Sequence, residues 1–306
     1  MVHRSQCQRS SLLIAIGPFM ASHSLEVAET PNSTSNFQQF VDAVSIFGVS
    51  IHRVTMRQAV AKCMEWIDSP LGSTCRYVVT PNVNHVVLLR KHQGLRAAYQ
   101  QASLVVADGW PLVTTSQLAG DPLPERVAGS DLIPQIFSAG EKRGGVRAFL
   151  LGAESGVAAE ATKRVMANWP STNVVGNYSP PLGFEHCDQE NQRIVEMVNR
   201  AQPDLLVVGL GAPKQETWLH NHFRQLEAKV AVAAGGTIDF LAGKQKRAPR
   251  WVQQMRLEWL FRLATDPRRL AGRYARDAMI FPSLAATEIL RTRLHASRSA
   301  NRLPRN

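Results

Sequence analysis

From Ser45 to about Ala234, short apolar runs rich in β-branched residues alternate with longer amphipathic stretches. Short, continuously apolar runs are typical of strands buried on both faces. Such strands, separated by helices, predict an α/β fold: a Rossmann-like, mainly parallel sheet with helices on both faces. The predicted strands are RYVVT (76–80), SLVVAD (103–108), VRAFLLG (146–152), TNVVG (172–176), DLLVVGL (204–210) and KVAVAAG (229–235), and the predicted helices lie near 83–101, 130–143, 155–168, 188–201 and 213–226.

Two segments of different character flank this pattern, so we predict an extension (1–45), a catalytic domain (46–245) and a helical C-terminal appendage (246–306). The extension is rich in Ser, Thr, Gln and Asn, and we expect it to be flexible. Its apolar patch SLLIAIGPFMA follows Arg4 and Arg9, as in a secretory signal, but Pro18 interrupts it. A plain extension or a wrongly assigned start codon is therefore an equal interpretation.

The appendage carries most of the positive charge. The chain has a net charge of +11, and its last sixty residues contain thirteen arginines, no lysine and four acidic residues. Such a segment indicates an anionic partner: nucleic acid, phospholipid headgroups or a phosphorylated substrate. Trp251, Met255 and Trp259 mostly follow helical spacing among the arginines, which favours a basic amphipathic helix at a membrane surface. A helix packed on the core with its arginines in water is the alternative.

Composition excludes several other classes of protein. No apolar run approaches the roughly 20 residues that span a bilayer, so membrane association would be peripheral. The four cysteines have no CxxC spacing, which argues against a zinc site or a disulfide framework. The predicted cleft segments lack the DxD triplet that holds a divalent metal on a nucleotide diphosphate. We therefore expect no metal and no other cofactor, with arginine, lysine and helix dipoles neutralising a bound diphosphate.

Polar residues follow several predicted strands, at the edge where parallel sheets bind ligands. Thr80 and Asn82 stand at a strand-to-helix turn, where capping a helix and binding a ligand are both plausible roles. Asp108 ends a buried strand beside Gly109, and we favour a general base over a helix cap. Arg126 has the planar donor fork suited to phosphate, and a structural ion pair is the alternative.

Glycine-rich turns follow two further strands. Gly152 in LLGAESG, and Gly209 and Gly211 in GLGAPKQETW, would let backbone N–H groups approach an anion. Neither segment is a dinucleotide-binding fingerprint, because Lys214 stands where the third glycine should be and LGAESG has the wrong spacing. Asp239, after the glycine pair of GGTIDFLAG, could bind a base or ribose or could cap a turn or helix.

Seven segments in this order resemble the WecG/TagA/CpsF glycosyltransferases over about residues 46–282. They are TPNVNH (80–85), ADGWPLV (107–113), ERVAGSDL (125–132), GLGAPKQETW (209–218), GGTIDFLAG (235–243), RAPRW (247–251) and EWLFRLATDPRRLAGRY (258–274). The resemblance implies inverting transfer of a hexose or N-acetylhexosamine, commonly N-acetylmannosamine, from a UDP-sugar. The implied acceptor is a polyprenyl-diphosphate-linked sugar at the cytoplasmic face of the cell membrane, in cell-surface polysaccharide biosynthesis.

The resemblance also implies roles for individual residues. Asp108 would be the base that deprotonates the acceptor hydroxyl, with Thr80 in the active site and Arg126 near phosphate or acceptor. Gln215 and Glu216 would face the nucleotide sugar with Lys214 nearby, Asp239 would engage the uridine, and Arg247 would belong to the substrate-binding set. Arg262, Arg269 and Arg273 match an appendage that contacts the membrane or the acceptor diphosphate and that closes over the site to neutralise the leaving diphosphate. Trp110 and Pro111 depart from the family pattern, which leaves the donor sugar open.

Two other functions remain as alternatives. A nucleotide-dependent oxidoreductase would explain the sheet and the glycine turns but not the arginine-rich appendage or Asp108. A nucleic-acid-binding protein would use the appendage, which nevertheless lacks a DNA-reading motif, so we expect an anionic membrane surface and no nucleic acid as partner. Whether the chain forms a homo-oligomer stays open.

Overall fold

A computed structural model describes residues 42–70 and 74–300, including their side chains other than those of Arg250 and residues 295–300. The apolar patch SLLIAIGPFMA and almost all of the predicted extension lie outside the described residues. Within the described part, Asp42 onward belongs to one compact unit that includes the C-terminal helices. The first strand of this unit begins at Ala43, inside the stretch that the sequence assigned to the extension.

Six parallel strands form the central sheet, which confirms the predicted α/β class. They are β3 (Arg76–Val79), β4 (Leu104–Val105), β5 (Arg147–Gly152), β6 (Asn173–Tyr178), β7 (Leu205–Gly209) and β8 (Val230–Ala233), in the order β4-β3-β8-β7-β5-β6. All six match predicted strands. The β7 and β8 side chains from Leu205 to Val208 and from Val230 to Ala233 are fully buried, as expected for central strands covered on both faces.

Helices connect the strands and cover the sheet. They are α1 (Met56–Asp68), α2 (Val83–Leu89), α3 (Gln93–Gln101), α4 (Trp110–Ala119), α5 (Gly129–Glu141), α6 (Val157–Asn168), α7 (Asp188–Ala201), α8 (Lys214–His222) and α9 (Thr237–Leu241), with a 3-10 turn at Phe184–His186. The helix predicted near 83–101 is two helices. His92 begins α3 by accepting a hydrogen bond from the Leu95 N–H (3.0 Å), and Arg96 donates to the carbonyls of Leu89 and Arg90 at the end of α2.

An antiparallel hairpin, β1 (Ala43–Ile46) and β2 (Val49–His52), precedes the sheet and was not predicted. Phe47 and Gly48 both have positive φ angles (56° and 77°), as the two central residues of a tight hairpin turn require. Val44, Ile46, Val49 and Ile51 are buried. The Val105 N–H donates to His52 Nδ1 (3.0 Å) and ties the hairpin to β4.

The appendage is helical, as predicted, and consists of α10 (Arg250–Gln254), α11 (Glu258–Thr265) and α12 (Pro267–Ala300). α12 packs against α2 and α4, with Leu270 and Asp277 buried. Several large apolar side chains of α10, α11 and their junction remain exposed, among them Trp251, Met255 and Leu260. None of the helices that the structure describes combines the length and the apolarity needed to cross a bilayer.

Gly152 and Gly209 pair across β5 and β7 at the ligand-binding edge of the sheet. Gly152 has a φ of 120°, and a Cβ at this position would lie 2.4 Å from the Gly209 carbonyl oxygen.

We expect Gly152→Ala to destabilise the fold by about 1–3 kcal/mol because the strands would have to separate. Chemical denaturation measures the loss. Gly156→Ala is the matched control, since its φ is also positive (81°) but no atom lies within 4 Å of the added methyl. Equal losses in the two variants would mean that backbone strain, not the close approach, is what Gly152 avoids.

Candidate active site

The carboxyl ends of β3, β8 and β7, three adjacent strands, open into a polar cavity that Thr80, Asp108, Gly211 and Gln215 line. The Thr80 hydroxyl donates to the Ala233 carbonyl (3.1 Å), which joins β3 to β8. Gln215 Oε1 accepts from the Gly235 N–H (3.0 Å), which joins α8 to the loop after β8. Four residues predicted from strand ends, Thr80, Asn82, Asp108 and Gly211, therefore meet at one cavity with Gln215, which the family resemblance implied.

Asn82 serves the local fold as well as the cavity. Its side-chain oxygen accepts from the Asn84 N–H (3.1 Å) and the His85 N–H (3.4 Å) at the start of α2. His85 completes this capping box, because its Nδ1 accepts from the Asn82 N–H (3.2 Å). His85 itself is buried and lines the cavity. The sequence segment TPNVNH contained it, but no role was predicted for it.

Asp108 is the carboxylate of the cavity, and its side chain is 28% exposed. Burial raises its pKa and is the largest effect; the negative charge of Glu258 adds to it, while Arg126, Arg262 and His85 oppose it. A raised pKa brings a carboxylate closer to the value that suits a general base. This environment is what the predicted role of Asp108 requires.

Arg126 lies among three carboxylates. Its guanidinium is 2.8 Å from Asp131, 3.2 Å from Glu258 and 3.6 Å from Asp108. Asp131 also pairs with Arg247, whose pKa is lowered by burial. Both arginines thus belong to an ion-pair network beside Asp108, and Glu258 connects that network to the appendage. This geometry supports the ion-pair alternative for Arg126 without separating it from the site, since Arg126 lines a second cavity described below.

Two of the three consecutive predicted residues on α8 do not face the cavity. Lys214 points away, and its ammonium is 2.5 Å from Glu185. Glu216 is completely buried behind the cavity wall. Its Oε1 accepts from Gln215 Nε2 (2.7 Å) and from His85 Nε2 (3.1 Å). Neither Lys214 nor Glu216 therefore lines the cavity, and the implied contact of Glu216 with the nucleotide sugar stays a prediction. In the structure Glu216 fixes two side chains, those of Gln215 and His85, that do line the cavity.

Other predicted residues lie at the margin. Gly152 and Gly209 contact each other rather than the cavity, so their small size serves strand packing. Asp239 is in the first turn of α9 and outside the cavity wall. Burial raises its pKa, while Lys244, Arg269 and Arg262 lower it. Asp239 therefore lies close to the arginine-rich side of the site, and its predicted contact with uridine stays a prediction.

The appendage contributes three arginines to the cavity: Arg262, Arg269 and Arg273. The Nε atoms of Arg262 and Arg273 are buried and have no hydrogen-bond partner in the structure. Arg269 is more exposed and pairs with Asp266 (2.6 Å). Arg262 and Arg273 are partly buried at the site, which favours their predicted action on a diphosphate over their predicted part in membrane docking. Arg269 lines the cavity but is also exposed to solvent.

A second cavity, of about 420 Å³, adjoins the first between α4, α11 and α12. Asp108, Arg262 and Arg273 line both cavities. Trp110 and Pro111 line only the second. The departure of these two residues from the family pattern therefore bears on this second cavity and not on the polar one that was expected to bind the donor.

We expect Glu216→Ala to lower the free energy of unfolding by about 1–3 kcal/mol because two buried donors, on Gln215 and His85, lose their acceptor. The KM for the donor should rise because Gln215 is no longer fixed. Thermal unfolding and steady-state kinetics measure the two effects. Glu216→Gln is the control: its amide oxygen can accept the same two bonds, so it should lose much less. An alanine variant with wild-type stability and KM would contradict this positioning role.

The chain matches known proteins over most of its length. Residues 44–295 match the model of the Glycosyl transferase WecG/TagA/CpsF family. The chain is 30% identical, over 227 residues, to the N-acetylglucosaminyldiphosphoundecaprenol N-acetyl-beta-D-mannosaminyltransferase of Staphylococcus aureus strain MRSA252, covering 74% of this chain and 86% of that protein. The protein of the same name in strain NCTC 8325 / PS 47 is 29% identical over the same shares. Since the family match spans the sheet, both cavities and most of the appendage, the chain belongs to the WecG/TagA/CpsF family of glycosyltransferases.

Proposed function

We propose that this glycosyltransferase moves a hexose or N-acetylhexosamine from a UDP-sugar to a polyprenyl-diphosphate-linked sugar, with inversion at the anomeric carbon. N-acetylmannosamine is the first candidate for the donor sugar, because the relatives are named for its transfer to an undecaprenyl-diphosphate-linked acceptor. The observation that carries the proposal is the position of Asp108 on the shared wall of a polar, arginine-lined cavity and an apolar one. One carboxylate between two substrates is what a single displacement needs.

In the proposed mechanism, the donor lies in the polar cavity with its diphosphate toward Arg262 and Arg273. At about 180 Å³ this cavity is smaller than the roughly 300–1,000 Å³ of typical ligand sites, so it would enclose only part of the nucleotide sugar. Asp108 takes the proton of the acceptor hydroxyl as the oxygen attacks the anomeric carbon. The bond to UDP breaks on the opposite side, and the arginines stabilise the charge that develops on the leaving diphosphate.

The test is a screen of UDP-sugars with a short-chain polyprenyl-diphosphate-linked N-acetylglucosamine, with the product identified by mass. We expect one UDP-sugar to give an added hexose or N-acetylhexosamine, with turnover unchanged by EDTA. The chain carries no DxD triplet in the cleft, and among the described residues no group of three or more His, Cys, Asp or Glu side chains is arranged to hold a metal ion. Stabilisation by NAD but not by UDP would favour the oxidoreductase alternative. Absence of transfer with every donor would contradict the proposal.

We further propose that the appendage binds the cytoplasmic face of the membrane through the apolar side chains Trp251, Met255 and Leu260. They are 63%, 60% and 45% exposed and come from α10, α11 and the residues that follow α10. Replacing all three by serine should lower the partition onto anionic vesicles at least about tenfold, since each loses apolar burial of the order of 1 kcal/mol or more. Vesicle sedimentation measures this.

Met166→Ser is the matched control for the vesicle experiment, because Met166 is also an exposed apolar residue (46%) but lies on α6. It should leave the partition unchanged. Wild-type partition of the triple serine variant would contradict membrane docking through this surface.

A further inference from the structure

The second cavity is lined by both aromatic and charged side chains. Its walls include the aromatic side chains of Trp110, Trp259, Tyr274 and Phe281. The Trp259 and Tyr274 rings meet edge to face, with centroids 6.4 Å apart. Trp259 remains 50% exposed although it belongs to this wall. The exposed Trp259 ring is apolar surface beside a cavity, which a bound ligand would cover.

The charged side chains of this cavity are four arginines, Arg126, Arg256, Arg262 and Arg273, and three carboxylates, Asp108, Glu258 and Asp277. Arg256 lines this cavity and not the polar one, and its guanidinium lies over the Trp110 ring, 4.0 Å from the centroid. Arg256 has a φ of 62°, which is uncommon for a residue other than glycine. Arg273 is oriented over Tyr274 at 5.2 Å, and its buried Nε has no partner in the structure. Such guanidinium groups have donors that match a diphosphate.

A ligand that fits both parts must be an amphiphile with an anionic group and a long apolar portion. A sugar nucleotide lacks the apolar portion, and a free sugar phosphate lacks it too. Asp108 lines the same cavity, so the anionic group would lie near the reacting hydroxyl and the apolar portion would extend between α4, α11 and α12.

We propose that this cavity binds the first isoprene units of the acceptor's lipid carrier, with the acceptor diphosphate at Arg256. The inference rests on the proposed function for the identity of the acceptor. It goes further in naming where the lipid chain enters and which aromatic side chains contact it. Trp110 is then a residue that selects the acceptor, and the enzyme distinguishes lipid-linked sugars by their proximal chain as well as by their sugar.

The test uses Ala278, which lines the cavity from α12. Ala278→Trp should fill the cavity. Met279→Trp is the control, because Met279 is the next residue along α12, is 75% exposed and lines neither cavity. Farnesyl diphosphate binding, measured by calorimetry on the full chain, should weaken at least about tenfold in Ala278→Trp and stay unchanged in Met279→Trp. Tenfold corresponds to losing the burial of roughly two methylene groups. Inorganic diphosphate and UDP should bind all three proteins equally.

Kinetics with two acceptors provide the second measurement. For Ala278→Trp, the KM of an acceptor with several isoprene units should rise at least about tenfold, while the KM of an acceptor with a methyl group in place of the chain should not change. Equal farnesyl diphosphate affinity in all three proteins, or equal effects on both acceptors, would overturn the inference. So would a change in vesicle binding or oligomeric state without a chain-length effect, since another occupant would then be indicated. Wild-type protein that binds farnesyl diphosphate but transfers no sugar would contradict the proposed function alone.

Discussion

Asp108→Asn is expected to lower kcat by about 10²–10⁴-fold, the range that a general base contributes, while the affinity for the UDP-sugar stays within a few-fold of wild type. The amide keeps the shape of the carboxylate but cannot accept the proton of the acceptor hydroxyl. Single-turnover transfer, together with calorimetry for the donor, separates the two effects. A variant with full activity would remove Asp108 from the role of base.

The melting temperature of Asp108→Asn distinguishes a loss of catalysis from a loss of the folded state. Burial raises the pKa of Asp108 above its ordinary value, so the folded state favours the protonated carboxyl, and ionisation at higher pH costs stability. Replacing the carboxylate by a neutral amide therefore removes the free-energy cost of burying a negative charge near neutral pH. We expect a melting temperature equal to or above that of wild type, so unfolding would not explain the lost activity.

The same raised pKa sets the direction of the pH dependence. The base must be ionised to accept a proton, so kcat/KM of the wild type should fall as the pH is lowered through the pKa of Asp108. Because that pKa is raised, the fall should begin at a higher pH than for a carboxyl with the ordinary value of 3.8. The residual activity of Asp108→Asn should lack this acid limb.

Asp131→Asn is the matched control for Asp108→Asn. Asp131 also pairs with Arg126, at a shorter distance than Asp108 does (2.8 Å against 3.6 Å), and it lines neither cavity. If Asp108 acts only by holding Arg126 in place, the two variants should lose similar activity. We expect Asp131→Asn to lose much less in kcat.

The sequence predicted the sheet well because its strands are buried on both faces. In a run such as the one that contains Leu205–Gly209, the side chains on both faces of the strand are apolar. The strand can therefore be recognised without knowing which residues point to which face. The hairpin Ala43–His52 was missed because its strands have only four residues each and alternate in burial, which leaves few apolar positions to recognise. The break after Leu89 was missed because it depends on hydrogen bonds that His92 and Arg96 make to the backbone.

Residues just after strands line one cavity, since topology alone brings them to one edge of the sheet. Thr80, Asp108 and Gly211 are examples. On α8 the topology does not decide which side chains line the cavity, because consecutive helical residues point about 100° apart. Only Gln215 of the three residues from Lys214 to Glu216 can face the cavity, and no property of the sequence reveals which one does. The roles of His85 and Glu216 depend on a contact between α2 and α8, which are far apart in the sequence.

The appendage arginines illustrate a second limit. Charge and amphipathic spacing indicate an anionic partner but not whether each side chain faces a membrane or a substrate. Arg262 and Arg273 turn inward because α11 and α12 pack across the open end of the sheet, where α12 contacts α2 and α4. The sequence could therefore predict that these arginines bind an anion but could not tell whether that anion belongs to a membrane lipid or to a substrate.

Arg262→Ala and Arg273→Ala are each expected to lower kcat/KM by about 10²–10³-fold, the loss measured when one preorganised donor to a developing negative charge is removed. Both side chains line the wall between the cavities, and each has a buried Nε without a partner in the structure. A buried guanidinium N–H without a partner is free to donate to a diphosphate. Replacement by lysine should restore part of the activity, because it keeps the charge but loses the planar fork.

Arg268→Ala is the control, because Arg268 is an exposed residue of the same helix as Arg273 and lines neither cavity. It should keep wild-type kinetics. Vesicle sedimentation should give the same partition for Arg262→Ala, Arg273→Ala and wild type, since these side chains face the site. A loss of vesicle binding that parallels the loss of activity would return both arginines to membrane docking. A loss of kcat/KM with unchanged vesicle binding would mean that the appendage supplies part of the catalytic machinery. Removing the appendage should then inactivate the enzyme even toward soluble acceptors.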